Sequence, residues 1–187
     1  MSPDQKFVRK MIALLDAAGL EAILVGNGGA QMHSAPVYTL DLDFLVRDTP
    51  LNRKKIEKVA RQCGPAVSVK PISDMTDALR LQGLDPPVDF LFALGGGLRF
   101  ESVRARAGRL SPDSGRVWLA SLEDIIAAKE AANRPKDLGS LVQLRETLEA
   151  TARLKIEMRK DEPPKAAERR SKYRLAPKRR VRVAARR

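Results

Sequence analysis

Thr39-Leu40-Asp41-Leu42-Asp43-Phe44-Leu45-Val46 sets two aspartates one residue apart at the head of an apolar run, twelve residues after a double glycine, Gly28-Gly29. Asp-Leu-Asp at the edge of such a run reads as a strand. Side chains on a strand alternate faces, so Asp41 and Asp43 are expected to point the same way. Two carboxylates on one face repel each other and are costly beside a core. A divalent cation between them removes both objections. Pro87-Val88-Asp89-Phe90-Leu91-Phe92 puts a third acid in the same kind of setting, so Asp89 is expected to complete the cluster.

Working outward, the chain alternates helical and strand patterns. Phe7, Met11, Leu14 and Leu15 recur at helical spacing, which predicts a helix over 3–18 ending at Gly19. Residues 21–25 read as a buried strand, and Gly28-Gly29 opens a short helix over 30–33. The second strand spans 42–46, a helix with one apolar side spans 51–62, and strands are expected near 66–71, 78–82 and 87–93. Gly95-Gly96-Gly97 marks a flexible loop, residues 99–107 are ambiguous, and Val117-Trp118-Leu119 reads as a strand. Ser121-Leu122-Glu123-Asp124 resembles a capping box and starts a helix to about residue 132. Pro135 suits the first position of a further helix, with Asp137 in its first turn and Leu138, Leu141, Val142, Leu144 and Leu148 giving a buried face. The fold class is α/β (α+β): a mixed sheet with flanking helices and a C-terminal helical hairpin.

The chain has 187 residues and a net charge of +12, and that charge is unevenly placed. Residues 153–187 hold 15 Lys+Arg against 4 Asp+Glu, whereas residues 1–152 hold 20 against 19. We therefore expect a domain over 1–152 and a basic, Pro-containing tail over 153–187, largely disordered from about residue 161. A solvated basic tail needs no function. Its functional reading is attachment to RNA or DNA phosphates, and with Tyr173 as its one aromatic such binding would be blind to sequence. Cys63 is the single cysteine, so an internal disulfide and a Cys-based zinc site are excluded. The first ten residues lack an apolar h-region, and Asp16 and Glu21 interrupt the most apolar stretch. Neither a signal peptide nor a membrane span is expected, and the expected location is the cytoplasm.

A double glycine between strand and helix lets backbone N–H groups approach an anion, although Gly-Gly there is often only a tight turn. A dinucleotide fingerprint fails, since Gln31 stands where its third glycine belongs, and no Walker A pattern occurs. The combination of strand, Gly-Gly, short helix, Asp-x-Asp and a later Asp resembles the nucleotidyltransferase superfamily. The wording of Val25–Ala30, Tyr38–Val46, Ala120–Lys129 and Asn133-Arg134-Pro135-Lys136-Asp137-Leu138 is similar to that of its bacterial toxin-type (AbiEii-like) members over about residues 5–150. Ser34 departs from the pattern, which often has Gly after the His.

The resemblance implies a minimal nucleotidyltransferase fold and a metal-dependent transfer from an NTP to a hydroxyl acceptor on tRNA or protein. Mg²⁺ or Mn²⁺ would be held by Asp41, Asp43 and Asp89, the last also deprotonating or orienting the acceptor. Gly28 and Gly29 would cradle phosphate, Lys129 would bind the triphosphate, and Lys136 and Asp137 would take part in nucleotide binding. A role as a toxin implies an antitoxin protein as partner, alongside the nucleoside triphosphate and RNA. Each residue also has an ordinary reading: Asp41 as a turn cap, Lys129 and Asp137 as charges complementing helix dipoles, His33 and Cys63 as packing residues. Two other functions fit the same features. One is an inactive nucleotide- or nucleic-acid-binding module, against which the intact acid trio argues. The other is a small-molecule (antibiotic) nucleotidyltransferase, in which a basic tail would be wasted on a cationic substrate.

Overall fold

Seven strands form one mixed sheet in a computed structural model that describes residues 4–73 and 76–161. The strands are β1 (Ala22–Val25), β2 (Leu42–Leu45), β3 (Ser68–Ser73), β4 (Thr76–Gln82), β5 (Val88–Leu91), β6 (Gly108–Arg109) and β7 (Val117–Leu119). The helices are α1 (Gln5–Ala17), α2 (Gly26–Met32), α3 (Pro50–Cys63), α4 (Phe100–Arg104), α5 (Leu122–Ala132) and α6 (Pro135–Asp161). The sheet order is β3-β4-β5-β2-β1-β7-β6. Strands β2 and β5 run parallel, as do β1 and β7, while β1 and β2 are antiparallel neighbours. The chain divides into two compact units, Met1–Thr151, which holds the whole sheet, and Ala152–Arg187.

The central strands are covered on both faces, which is why they read as apolar runs, broken only at Asp43 in β2 and Asp89 in β5. Strand alternation sorts their side chains between two cores. Leu24, Leu42, Phe44, Val88 and Phe90 face α1 and α3, where they meet Met11, Leu15, Ile56 and Val59. Ile23, Val25 and Leu45 face the other way, onto Ala30 of α2, Phe100 and Val103 of α4, Ile125 and Ile126 of α5, and Leu141 and Leu144 of α6. Asp43 and Asp89 alternate with the first set and so belong to the second face.

Local chemistry sets the helix ends. Asp4 and Thr49 cap α1 and α3 through the amides of Phe7 and Asn52, and Pro50 takes the first position of α3. Ser121 accepts the amide of Asp124, as the capping motif predicts, and α5 ends at Asn133 in the left-handed conformation (φ 46°). Asp124 does not close the box. Its buried carboxylate takes a fork of bonds from Arg106 instead.

Four features differ from expectation. On α6, Leu141 and Leu144 are buried and Leu148 partly so, but Leu138 and Val142, expected on the same buried face, are exposed. The glycines do not precede α2 but lie inside it, because the helix starts at Gly26. Gly95–Gly97 is a 3-10 turn rather than a flexible loop, with Gly95 packed so close to the backbone of α5 at Ala128 that a side chain there would collide with it. The last helix continues through Asp161, into the stretch assigned to the tail. Arg153-Leu154-Lys155-Ile156-Glu157-Met158 is made mostly of strong helix formers, which carry the helix on without a core contact for Leu154, Ile156 or Met158, all exposed. The stretch expected to be disordered, from about residue 161, lies beyond Asp161 outside the described residues. Among the described residues, no helix is long and apolar enough to cross a membrane.

Candidate active site

Strand register brings the acids together. Asp43 on β2 stands directly beside Asp89 on β5, and Asp89 stands directly beside Arg80 on β4. Cross-strand partners share a face, so the three side chains form one row. Asp41 is not on the strand, contrary to the alternation argument. It sits in the bend before Leu42, where the Thr39 hydroxyl bonds both its carboxylate and its carbonyl at 3.0 Å. Such local side-chain bonds compete with strand pairing. The bend still turns Asp41 into the cluster: carboxylate oxygens of Asp41, Asp43 and Asp89 lie within 4.8 Å of one another.

The three acids are not equivalent. Asp89 is buried, with its side chain 5% exposed, and Arg80 donates to both of its oxygens at 2.7 Å. Asp43 has no such partner in the cluster. Burial, reinforced by the neighbouring charges of Asp41 and Asp89, pushes its pKa up to about 7, against the opposing pull of Lys136 and Lys129. Gly26 makes room for that carboxylate. It has φ 61°, and a Cβ on it would overlap the Asp43 carboxylate. Glycine is therefore required here twice, by backbone and by space. Neither Arg80 nor Gly26 is singled out by the motif. Arg80 lies in Ala78-Leu79-Arg80-Leu81, where a charge in an apolar strand is a weak signal, and its role rests on a cross-strand register that local sequence does not carry.

The helical hairpin supplies the opposite charge. Lys129 is buried on α5 and its Nζ donates to Asp137 Oδ1 at 2.7 Å. Asp137, also buried, accepts from Arg134 Nε at 2.6 Å through its other oxygen. Burial alone would raise the Asp137 pKa; the bonds from Lys129 and Arg134 outweigh it and hold the carboxyl below its usual range. Lys136 is exposed and, like Lys129, acts electrostatically on Asp43. Asp137 thus positions Lys129, a role that a simple helix-dipole charge would not need.

Gly28 and Gly29 are buried, and packing accounts for their size. A Cβ on Gly29 would lie 3.0 Å from the Leu24 carbonyl oxygen and 3.3 Å from Ile125, and one on Gly28 would lie 3.2 Å from Leu42. Together they seat α2 against the sheet, beside the end of β1. His33 is structural: its Nε2 lies 2.8 Å from the Ala120 carbonyl oxygen, within hydrogen-bond distance. Ser34 has φ 65°, a conformation that favours glycine, which gives the expected Gly at that position its reason. Cys63 packs at the edge of the first core, and burial pushes its thiol pKa up.

The donor set fits a hard divalent cation. It offers carboxylate oxygens only, close enough to share one ion, and burial with the charges of Asp41 and Asp89 outweighs the pull of Lys136 and Lys129 on Asp43. No family model and no curated protein sequence matches this chain. Solved structures do. A crystal structure of ANT(2")-Ia in complex with adenylyl-2"-tobramycin superposes with a TM-score of 0.55 at 18% identity, covering 90% of this chain and 97% of that one. A solution structure of the antibiotic-resistance factor ANT(2")-Ia gives 0.52 at 18%, covering 89% and 90%. The chain has the nucleotidyltransferase fold. The acid row shares the sheet face that carries the second core, with Gly26 of α2 against Asp43 and with Lys129 and Lys136 acting on Asp43 electrostatically.

Proposed function

We propose that this chain is a metal-dependent nucleotidyltransferase that moves a nucleotidyl group from a nucleoside triphosphate to a hydroxyl acceptor. The observation that carries the reading is the convergence of Asp41, Asp43 and Asp89 within 4.8 Å, on a face that Lys129 and Lys136 also influence. A bound Mg²⁺ or Mn²⁺ would neutralise and orient the triphosphate. Asp41 and Asp43 are the ligands best placed to hold it, since Asp89 is already paired with Arg80. Asp89 lies on the acceptor side. It orients the hydroxyl and takes its proton as the new O–P bond forms at the α-phosphorus and the bond to the departing pyrophosphate breaks. Lys129, fixed by Asp137, and Lys136 draw the phosphates toward the cluster. The backbone at Gly28 and Gly29 approaches the same phosphates from the first turn of α2.

The acceptor we infer is RNA, tRNA in particular, or a protein, with the chain acting as the toxin of a toxin–antitoxin pair in the cytoplasm. The AbiEii-like wording around both motifs and the basic C-terminal stretch support this. A small-molecule acceptor is the second reading, favoured by the fold neighbour solved in complex with adenylyl-2"-tobramycin. Against it, the basic stretch over 153–187 would be wasted on a cationic acceptor. The test incubates the full chain and Mg²⁺ with each labelled triphosphate, adding bulk tRNA in one arm and tobramycin in another. Label transfer to tRNA that disappears in Asp43→Asn is the expected result. Transfer to tobramycin alone selects the second reading, and no triphosphate binding at all removes both.

A further inference from the structure

The third acid of the row is not free. Both Asp89 oxygens accept short bonds from one guanidinium, Nε to Oδ1 and Nη2 to Oδ2, each at 2.7 Å. This is the forked geometry in which an arginine holds a carboxylate most firmly. The same Nη2 lies 4.0 Å from Asp41 Oδ2, so the guanidinium sits at the edge of the cluster, where it meets two of the three acids. Asp43, on the far side of Asp89 in the register, is the member it does not bond.

Resting on the nucleotidyltransferase reading above, we propose that Arg80 is a positioning residue that competes with a divalent cation for Asp89. While the fork is closed, the cation is held by Asp41 and Asp43 alone, and Asp89 becomes a ligand only when Arg80 lets go. The asymmetry of exposure says which partner moves. Asp89 is 5% exposed, within a strand paired on both sides, and has nowhere to turn, whereas Arg80 is 34% exposed and has a long side chain with a way into solvent. Arg80 thereby divides the cluster into two acids always open to the cation and one that is conditional. This division separates the metal-holding role of Asp41 and Asp43 from the acceptor-side role of Asp89.

The test measures Mn²⁺ binding to the full chain by electron paramagnetic resonance, which needs neither an acceptor nor turnover. Wild type is expected to bind Mn²⁺, and Asp43→Asn to lose it. Failure of this arm sinks the metal reading itself, and with it the role of Arg80. With that arm satisfied, Arg80→Gln should tighten Mn²⁺ at least about fivefold, and Asp89→Asn with Arg80 intact should change it by less than about twofold. The double variant Arg80→Gln/Asp89→Asn decides between competition and bulk charge. Competition for Asp89 returns it to within about twofold of wild type. Tightening that persists without Asp89 means Arg80 acts only by long-range charge, and overturns the proposal while leaving the metal site in place. Arg80→Lys covers the case in which Arg80→Gln does not fold. A compact ammonium cannot hold both oxygens, so a smaller tightening, about two- to threefold, is expected. Wild-type affinity in Arg80→Lys overturns the proposal as well.

Discussion

The Asp43 carboxylate lies beside two others on a covered face, and its pKa of about 7 states the consequence: without a counter-cation, ionising it works against the fold. Below about pH 4, folded and unfolded chains both carry it protonated and its contribution to stability is complete. As pH rises toward 7 the unfolded chain ionises it first, and that contribution is lost. Asp43→Asn removes the group, so in the presence of a chelator the variant should be more stable than wild type at pH 8, by at most about 4 kcal/mol, with the advantage shrinking toward pH 5. Thermal unfolding at the two pH values measures this, and an advantage independent of pH would refute it. The same variant should lose label transfer by at least about a hundredfold, because it removes a ligand and not merely a charge. At this scale the motif was legible because the chemistry is local: Asp41, Asp43 and Asp89 each stand out as acids in or beside apolar runs. Arg80 and Gly26 did not stand out. One depends on strand register and the other on a through-space approach to Asp43, and neither distance is written in neighbouring residues.

The hairpin of α5 and α6 shows how two helices hold one buried lysine. Lys129 and Asp137 are 9% and 3% exposed at the side chain, and Arg134 completes the triad from the surface. Removing the acid leaves a buried ammonium with no bonded partner in the triad, whereas removing the lysine leaves Asp137 still bonded to Arg134. Asp137→Ala should therefore cost about 3–5 kcal/mol and Lys129→Met clearly less, measured by denaturant unfolding at pH 7. Because the folded Asp137 carboxyl is held below its usual range, its stabilisation is present above about pH 4 and lost as the pH falls further. The wild-type advantage over Asp137→Ala should then narrow at pH 3, and a gap unchanged between pH 7 and pH 3 would count against the ion triad. On the facing side of the site, Gly29→Ala should destabilise by about 1–3 kcal/mol, since its methyl would press on the Leu24 carbonyl and Ile125. Equal melting temperatures for Gly29→Ala and wild type would show that this packing gives way easily. Most elements were legible from periodicity, caps and apolar runs: Ser121 and Pro135 mark their helices, β1 is apolar throughout because both its faces are covered, and β2 and β5 are apolar except at Asp43 and Asp89. The start of α2 at Gly26 was not, because glycine is a poor helix former and only the tight seating against β1 and α5 makes it pay.

Across the whole molecule, charge and site chemistry occupy different parts of the chain. Every proposed site residue falls within residues 26–137, while residues 162–187 hold 11 Lys+Arg against 2 Asp+Glu, most of the net charge of +12. Ending the chain after Asp161 keeps every described element, so triphosphate binding should stay within about twofold of the full chain. Binding to RNA should fall sharply. Neutralising phosphates releases counterions, and the slope of log affinity against log salt scales with the number neutralised, at about 0.7 to 0.9 per phosphate. The truncated chain should show a shallower slope, and the affinity lost should be largest at low salt. The residues removed include one aromatic, Tyr173, so unrelated RNA sequences should weaken alike. Fluorescence anisotropy on two unrelated RNAs between 50 and 200 mM salt, a range over which such contacts change affinity by orders of magnitude, measures all three quantities. Equal affinity and equal slope before and after truncation would take RNA capture away from these residues. They would then be a solvated segment that aids solubility, or one that meets an anionic protein surface of the kind an antitoxin would supply.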